Sequence, residues 1–463
     1  MTAGQHADSG ALVADLQAAI GDARRVSTSE SVLRTHGEPL MADMPPAPPD
    51  VVVFARSRDD VVAVLALARE HGAPVVAFGA GSGLEGESLA PRGGISLDLT
   101  GLDRIEIRPA DLQATVGAGV TRKALDRATG EHGLWFPVDP GADATLGGMA
   151  ATNASGTTTV RYGSMRQNVL GLEVVLADGR VVRTGSRTVK TSAGYELGQL
   201  FVGSEGTLGI ITEVTLRLYG IPEHVVAVRA PFPDIEAACR CAAALVATGV
   251  SVIRCELVDA STIEMVNAYR GTRLPADVHL FLEFGGSREG VEGDVAATRD
   301  LAAEFGCTDL QASSAWAERQ ELWAARHDAL YATQHANLGK AMFGTDTCVP
   351  VSELPGAVAY ARGLIAAAGL EASIVGHVGD GNYHALIAVD PRDEDEVARA
   401  HAVRGQIVRD ALARGGTCSG EHGIGMGKMG YLEIEHGDLI PLMRGIKELL
   451  DPAGILNPGK IFD

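Results

Sequence analysis

Gly79-Ala-Gly-Ser-Gly-Leu-Glu-Gly86 sets four glycines in eight positions directly after residues 74–78, an apolar run that reads as a buried strand. Residues 51–55 read as an earlier strand and 59–70 as an amphipathic helix, so the loop closes a strand, helix, strand unit. Such a loop lets backbone N–H groups approach an anion closely, which suits a phosphate or pyrophosphate. It is neither the G-x-G-x-x-G that opens a dinucleotide-binding helix nor a loop ending in Gly-Lys-Ser/Thr. Upstream, Pro45-Pro-Ala-Pro-Pro49 cannot continue a helix and closes a lead-in over 1–46, with helical spacing at 11–20. Downstream, strands are expected at 95–99, 113–116, 172–177, 181–184 and 210–218. Gly147-Gly-Met-Ala-Ala-Thr-Asn-Ala-Ser-Gly156 and Gly203-Ser-Glu-Gly-Thr-Leu-Gly209 offer small side chains and hydroxyls where a flat ligand would lie against backbone. Three such stretches point to one large ligand.

After residue 219 the composition changes. Ala-rich helices at 235–247 and 354–368 alternate with strands at 279–284 and 373–377, which suggests a second α+β domain. It carries Gly376-His-Val-Gly-Asp-Gly-Asn-Tyr-His384. A two-residue type I′ turn at Asp380-Gly381 would set His377 directly opposite His384, with Cβ atoms roughly 5 Å apart. Glu421 adds a carboxylate, giving a His/His/Glu set suited to zinc, manganese or iron with coordination positions left for substrate. His422, adjacent to that ligand, is better placed as a general base. Arg326 lies three residues after Trp323 on an expected helix, and its planar fork fits a carboxylate. His327 and Asp328 read as structural, and Trp316 and Trp323 as core or pocket-wall aromatics.

A hydrophobic fraction of 46% and a charged fraction of 21% over 463 residues describe a globular chain of two or three domains. A net charge of −20 disfavours nucleic acid as a partner. The six cysteines form no C-x-x-C pair, which disfavours an iron–sulfur cluster or a zinc knuckle. No signal pattern or spanning apolar run is present. A cytoplasmic protein is expected, with peripheral attachment at a membrane left open.

From about residue 47 to 219 the glycine-rich stretches and their spacing resemble the FAD-binding domain of the vanillyl-alcohol oxidase and p-cresol methylhydroxylase superfamily. The resemblance implies non-covalently bound FAD, with Gly79, Ala80, Gly81, Ser82, Gly83 and Leu84 on the pyrophosphate. It places Pro140, Thr145, Gly148, Thr152, Ser155, Gly156, Gly206, Ile211 and Asn457 along the rest of the cofactor. The stretches 374–384, Gly416-Thr-Cys-Ser-Gly-Glu-His-Gly-Ile-Gly-Met-Gly-Lys428 and Leu456-Asn-Pro-Gly-Lys460 resemble FAD-linked D-2-hydroxyacid dehydrogenases, especially the D-lactate dehydrogenase (cytochrome) type. In that family His377, His384 and Glu421 would hold one divalent metal, Zn or Mn with Fe as a further alternative. His422 would be the base and Arg326 the carboxylate anchor.

The implied fold is α+β. A p-cresol methylhydroxylase-type FAD-binding domain of two α/β subdomains spans 47–220. An α+β substrate and metal-binding cap with an antiparallel sheet spans 221–430, and a C-terminal segment, 431–463, returns to the FAD domain. The implied partners are a small 2-hydroxy acid and a non-NAD electron acceptor such as cytochrome c or a quinone; a homodimer is compatible with this. D-2-hydroxyglutarate dehydrogenases carry a Lys and an Asn where this chain has Gly344 and Leu386, so a second substrate carboxylate would lose its compensation here. D-lactate is therefore expected ahead of D-2-hydroxyglutarate or glycolate. Two other classes remain: a non-redox transferase resembling alkyl-dihydroxyacetonephosphate synthase, and a non-catalytic flavin-binding subunit.

Overall fold

In the computed structural model, residues 9–41 and 44–462 are described, and the first eight residues of the expected lead-in lie outside them. The chain forms two compact units. The first comprises Met1–Ala154, Ser164–Gly220 and Glu421–Asp463, and the second Ser155–Gly163 and Ile221–Gly420.

The first unit holds two sheets. In one, Val51–Phe54, Ile95–Asp98 and Val75–Phe78 run parallel in that spatial order, with Val26–Ser27 antiparallel at the edge. The helix Arg58–His71 begins at a reciprocal Ser57/Asp60 cap and ends at Gly72, whose φ of +62° suits a residue without Cβ. Val61, Val64, Leu65 and Ala68 recur at helical spacing and are all buried, so one stripe seals the apolar core formed with these strands. The second sheet is antiparallel, in the order Ile105–Arg108, Gln113–Gly117, Ile210–Arg217, Val169–Val175, Val181–Gly185. The small-residue stretch after residue 144 winds into a helix, Leu146–Thr152, capped by the Thr145 hydroxyl. At the C-terminus, Leu456 bridges Val75 in parallel register, adding the tail beside the strand that feeds the glycine loop.

The second unit is built on an antiparallel sheet ordered Gln311–Ser313, His224–Phe232, Val278–Gly286, Val252–Val258, Glu371–Gly376, Asn382–Val389, Ala341–Gly344. Helices cover both faces. Val226, Val228, Ala230 and Phe232 join the helices Ile235–Ala247 and Leu354–Ala367 in one core. Ala227, Val258, Phe281 and Val375 join Trp323, Ala325, Ala329 and Ala332 in another. The period of two along each strand therefore decides which face a polar residue enters.

The 376–384 hairpin forms, but not with the expected turn. Val375, not His377, pairs with His384, and residues 377–381 make a five-residue loop. A type I′ turn needs positive φ at both central residues. Only Gly381 has it, at +87°, and Asp380 does not. Continuing the register sets His377 across from Asn382 and diagonal to His384. A two-residue shift preserves the face, so both imidazoles remain on one side. Trp316 also departs from expectation: it is 70% exposed, while Trp323 is 4% exposed.

Candidate active site

In the first unit, Gly79, Ala80, Gly81, Ser82, Gly83 and Leu84 form a half-buried loop whose backbone amides donate no hydrogen bond within the described residues. Such a run of unmet donors normally finds an acceptor, and an anionic group is the natural one. The loop also lies too close to its surroundings for side chains. A Cβ at Gly79 would stand 2.2 Å from Thr145 Oγ1, and one at Gly83 2.4 Å from Glu87 Oε2. These observations fit the pyrophosphate of FAD. Further along, the Gly148 amide donates to Thr145 Oγ1 and the Thr152 hydroxyl to Gly148 O. Gly206 has φ +71°, and Ile211 pairs with Val174 across the antiparallel sheet with its side chain buried in the core. Pro140 lies half-buried in the preceding loop. Ser155 and Gly156 fall in the short stretch assigned to the second unit. Gly79→Ala is expected to cost about 1–3 kcal/mol by overpacking against Thr145. It should also lower the flavin retained on gel filtration; a fully flavinated variant with unchanged melting would contradict the packing described.

Glu421 and His422 open the segment that returns to this unit. The loop is pinned by its backbone. Glu205 accepts from the amides of Ile424 (2.7 Å) and Gly425 (2.9 Å), and the Glu85 carbonyl accepts from the Met426 amide at 2.7 Å. Gly423 and Gly425 have φ of +89° and +47°, and a Cβ at Gly425 would sit 2.1 Å from Glu85 O. His422 Nδ1 is 3.8 Å from Glu85 Oε1, which Lys428 Nζ approaches to 3.1 Å. Asn457 donates from one amide nitrogen to the carbonyls of Glu87 (3.1 Å) and Glu205 (2.6 Å), so the tail holds these two loops together. Burial pushes the Glu205 and Glu87 carboxyls up, Glu205 reinforced by the charge of Glu87 and Glu87 by that of Glu85. Burial likewise brings the Lys460 ammonium down to about 8. Glu205, raised to about 8, is therefore biased toward the protonated form.

In the second unit, the hairpin brings the His377 and His384 rings to 5.6 Å between centroids, nearly perpendicular. Each ring is fixed through Nδ1. His377 Nδ1 donates to Glu256 Oε1 at 2.7 Å, and His384 Nδ1 donates to the Thr345 carbonyl at 3.1 Å. A carbonyl only accepts, so His384 carries its proton on Nδ1 and presents the Nε2 lone pair. The carboxylate imposes the same tautomer on His377. Two imidazoles held in this way are the donor arrangement of a metal-binding histidine pair. Asp346, fully buried, accepts from Asn382 Nδ2 at 3.0 Å and Ser419 Oγ at 3.1 Å, and its carbonyl accepts from the Gly420 amide.

Arg326 lies on the helix Trp316–His327, as expected. The helix is seated by Trp323, whose Nε1 donates to Glu283 Oε2 while Arg254 pairs with the other oxygen. Arg326 Nη2 is 2.7 Å from Glu256 Oε2, but no N–H points along that contact, so the two are an ion pair without a hydrogen bond. The buried Arg326 Nε has no acceptor among the described residues. Its charge is balanced while its donors are unspent. Gly344 and Leu386 are direct cross-strand partners, so neither supplies a charge or a polar group at that pair.

Glu256, Asp346, Glu85, Glu87 and Glu205 were not foreseen. Glu256 had a readable signal, because Arg254 and Glu256 are the two charged residues of the otherwise apolar strand Val252–Val258 and share one face.

A family profile described as "FAD linked oxidases, C-terminal domain" matches residues 221–461, and one described as "FAD binding domain" matches 49–185. The chain belongs to the FAD-linked oxidases. This FAD-linked oxidoreductase is 44% identical over 461 residues to a probable mitochondrial D-lactate dehydrogenase of Danio rerio, covering 98% of this chain and 92% of that one. It is 40% identical over 416 residues to the mitochondrial D-lactate dehydrogenase [cytochrome] of Arabidopsis thaliana, covering 89% and 73%. Among solved structures, p-cresol methylhydroxylase with substrate bound superposes with a TM-score of 0.80 at 20% identity, covering 98% and 97%. At that identity the likeness concerns the fold alone, and it agrees with the α+β flavoprotein architecture read from the sequence.

Proposed function

We propose that this FAD-linked oxidase oxidises a short D-2-hydroxy acid, D-lactate foremost, to the 2-oxo acid and passes the electrons to an acceptor other than NAD. The observation that carries this reading is Arg326, a largely buried guanidinium with an unspent Nε donor, paired with the same Glu256 carboxylate that holds His377. A carboxylate offers two acceptors to such a fork. Relatives named D-lactate dehydrogenase at 40–44% identity support the substrate. The uncharged Gly344/Leu386 pair supports a short chain over a dicarboxylate.

A divalent metal held by His377, His384 and Glu421 would supply Lewis acidity that lowers the pKa of the substrate hydroxyl. Glu421 is named on chain connectivity: the Gly420 amide is tied to Asp346 O at 3.1 Å, and the next Cα follows about 3.8 Å on. Arg326 binds and orients the substrate carboxylate. His422 takes the hydroxyl proton. Bound FAD supplies the acceptor for the hydrogen that leaves C2 with its electron pair. A basic acceptor such as a cytochrome c would suit the acidic surface.

Anaerobic addition of D-lactate should bleach the flavin, L-lactate should not, and D-2-hydroxyglutarate should do so far more slowly. Treatment with a chelator should leave the flavin bound and abolish bleaching until Mn²⁺ or Zn²⁺ is returned. Full activity in protein shown metal-free by elemental analysis would remove the metal from the reading.

A further inference from the structure

Glu256 is fully buried on the strand Val252–Val258, and its two oxygens serve two partners with different tasks. Oε1 accepts the Nδ1–H of His377 at 2.7 Å; Oε2 balances the Arg326 guanidinium at 2.7 Å. We propose that Glu256 is a positioning residue that couples the two halves of substrate recognition, holding His377 in its metal-binding tautomer and Arg326 at the carboxylate-binding position through one rigid side chain. This rests on the proposed D-2-hydroxy acid oxidation, and it adds a linkage that neither the histidines nor the arginine reveals alone.

The argument is one of valence. His377 presents a donor that needs an oxygen and Arg326 a charge that needs a counterion, and a carboxylate supplies both through its two equivalent oxygens. Neutral glutamine offers a single oxygen and an NH2. If the amide oxygen turns to His377, the NH2 faces the guanidinium, donor against donor, and the arginine's charge loses its buried counterion. If the oxygen turns to Arg326, the NH2 faces His377 Nδ1. The imidazole must then accept there and carry its proton on Nε2, where no lone pair is left for a metal. Glu256→Gln must therefore lose one function to keep the other, and a bound metal selects the first alternative. The same reasoning makes the coupling reciprocal in the unmodified protein: a substrate carboxylate that takes part of the guanidinium's charge leaves Glu256 more strongly drawn to His377, which raises the imidazole's basicity toward a metal.

The test uses flavin-loaded wild type and Glu256→Gln, stripped of metal and titrated with Mn²⁺ against a chromogenic chelator, followed by kcat and KM for D-lactate across the Mn²⁺ range. The variant should keep its flavin, bind Mn²⁺ about 10–100-fold more weakly, and show a KM that rises further as Mn²⁺ saturates. Glu256→Asp retains both oxygens, so it should keep the two properties in step, and it replaces Glu256→Gln as the test if that variant does not fold. Wild-type Mn²⁺ affinity together with wild-type KM in Glu256→Gln, or, when Glu256→Asp stands in, a change in one of the two properties without the other, would overturn the proposal while leaving the proposed function intact. A wild-type protein that binds no divalent ion would overturn this proposal and remove the metal from the proposed function.

Discussion

His422→Ala should retain its flavin and lose about 10²–10⁴-fold in the rate at which D-lactate reduces it, the range attributed to a positioned general base. Retention follows from how the loop is held. Glu205 and the Glu85 carbonyl grip the backbone at residues 424–426, so removing the ring at 422 leaves the loop's anchors in place. The loss should be close to complete because the neighbouring acids make poor substitutes. Burial raises Glu205 to about 8, which keeps it biased toward the protonated, non-basic form at neutral pH, and it raises Glu87 as well. Stopped-flow mixing of anaerobic enzyme with D-lactate, read at the visible flavin band, gives the rate directly. Bleaching at near wild-type speed would reassign the base.

The parts of this protein that the sequence discloses are those in which a local rule decides the structure. The helix Ile235–Ala247 follows from periodicity and an Asp234 cap, and the glycine loop after Val75–Phe78 from residue types no regular element accepts. The 376–384 hairpin shows where the rule stops. Asp-Gly signals a turn, but the loop's length is set by tertiary contact: Gly381 is packed so that a Cβ would meet Val349 O at 2.0 Å, and its carbonyl accepts from the Val349 amide. That contact draws five residues into the loop and moves His377 off the direct pairing position. Glu205 and Glu256 are harder still to read. A single acid in a glycine-rich motif or an apolar strand does not reveal its partners, which lie 219 and 220 residues away for Glu205 and 121 for the His377 contact of Glu256. Trp316 was misread for the same reason, since helical spacing places it on a face without saying whether anything covers that face.

Replacing Arg326 by Met is expected to have the second large effect, of order 10²–10³-fold in kcat/KM for D-lactate, from the roughly 3–5 kcal/mol that accompanies removal of one partner from a buried charge pair. Two contributions add. The substrate carboxylate loses its fork, and the fully buried Glu256 loses the cation beside its Oε2. Arg326→Lys should recover only part of the loss, because an ammonium restores charge without two parallel donors. The contributions separate when the substrate is changed as well. D-1,2-propanediol, which has CH2OH where lactate has a carboxylate, should be a far poorer substrate than D-lactate for the wild-type enzyme and nearly as good as D-lactate for Arg326→Met. If Arg326 served only to seat its helix, both substrates would suffer alike and the wild-type preference would persist in the variant. A preserved lactate-to-diol ratio would therefore place the carboxylate on another residue, and the proposed orientation of the hydroxy acid would have to be reversed.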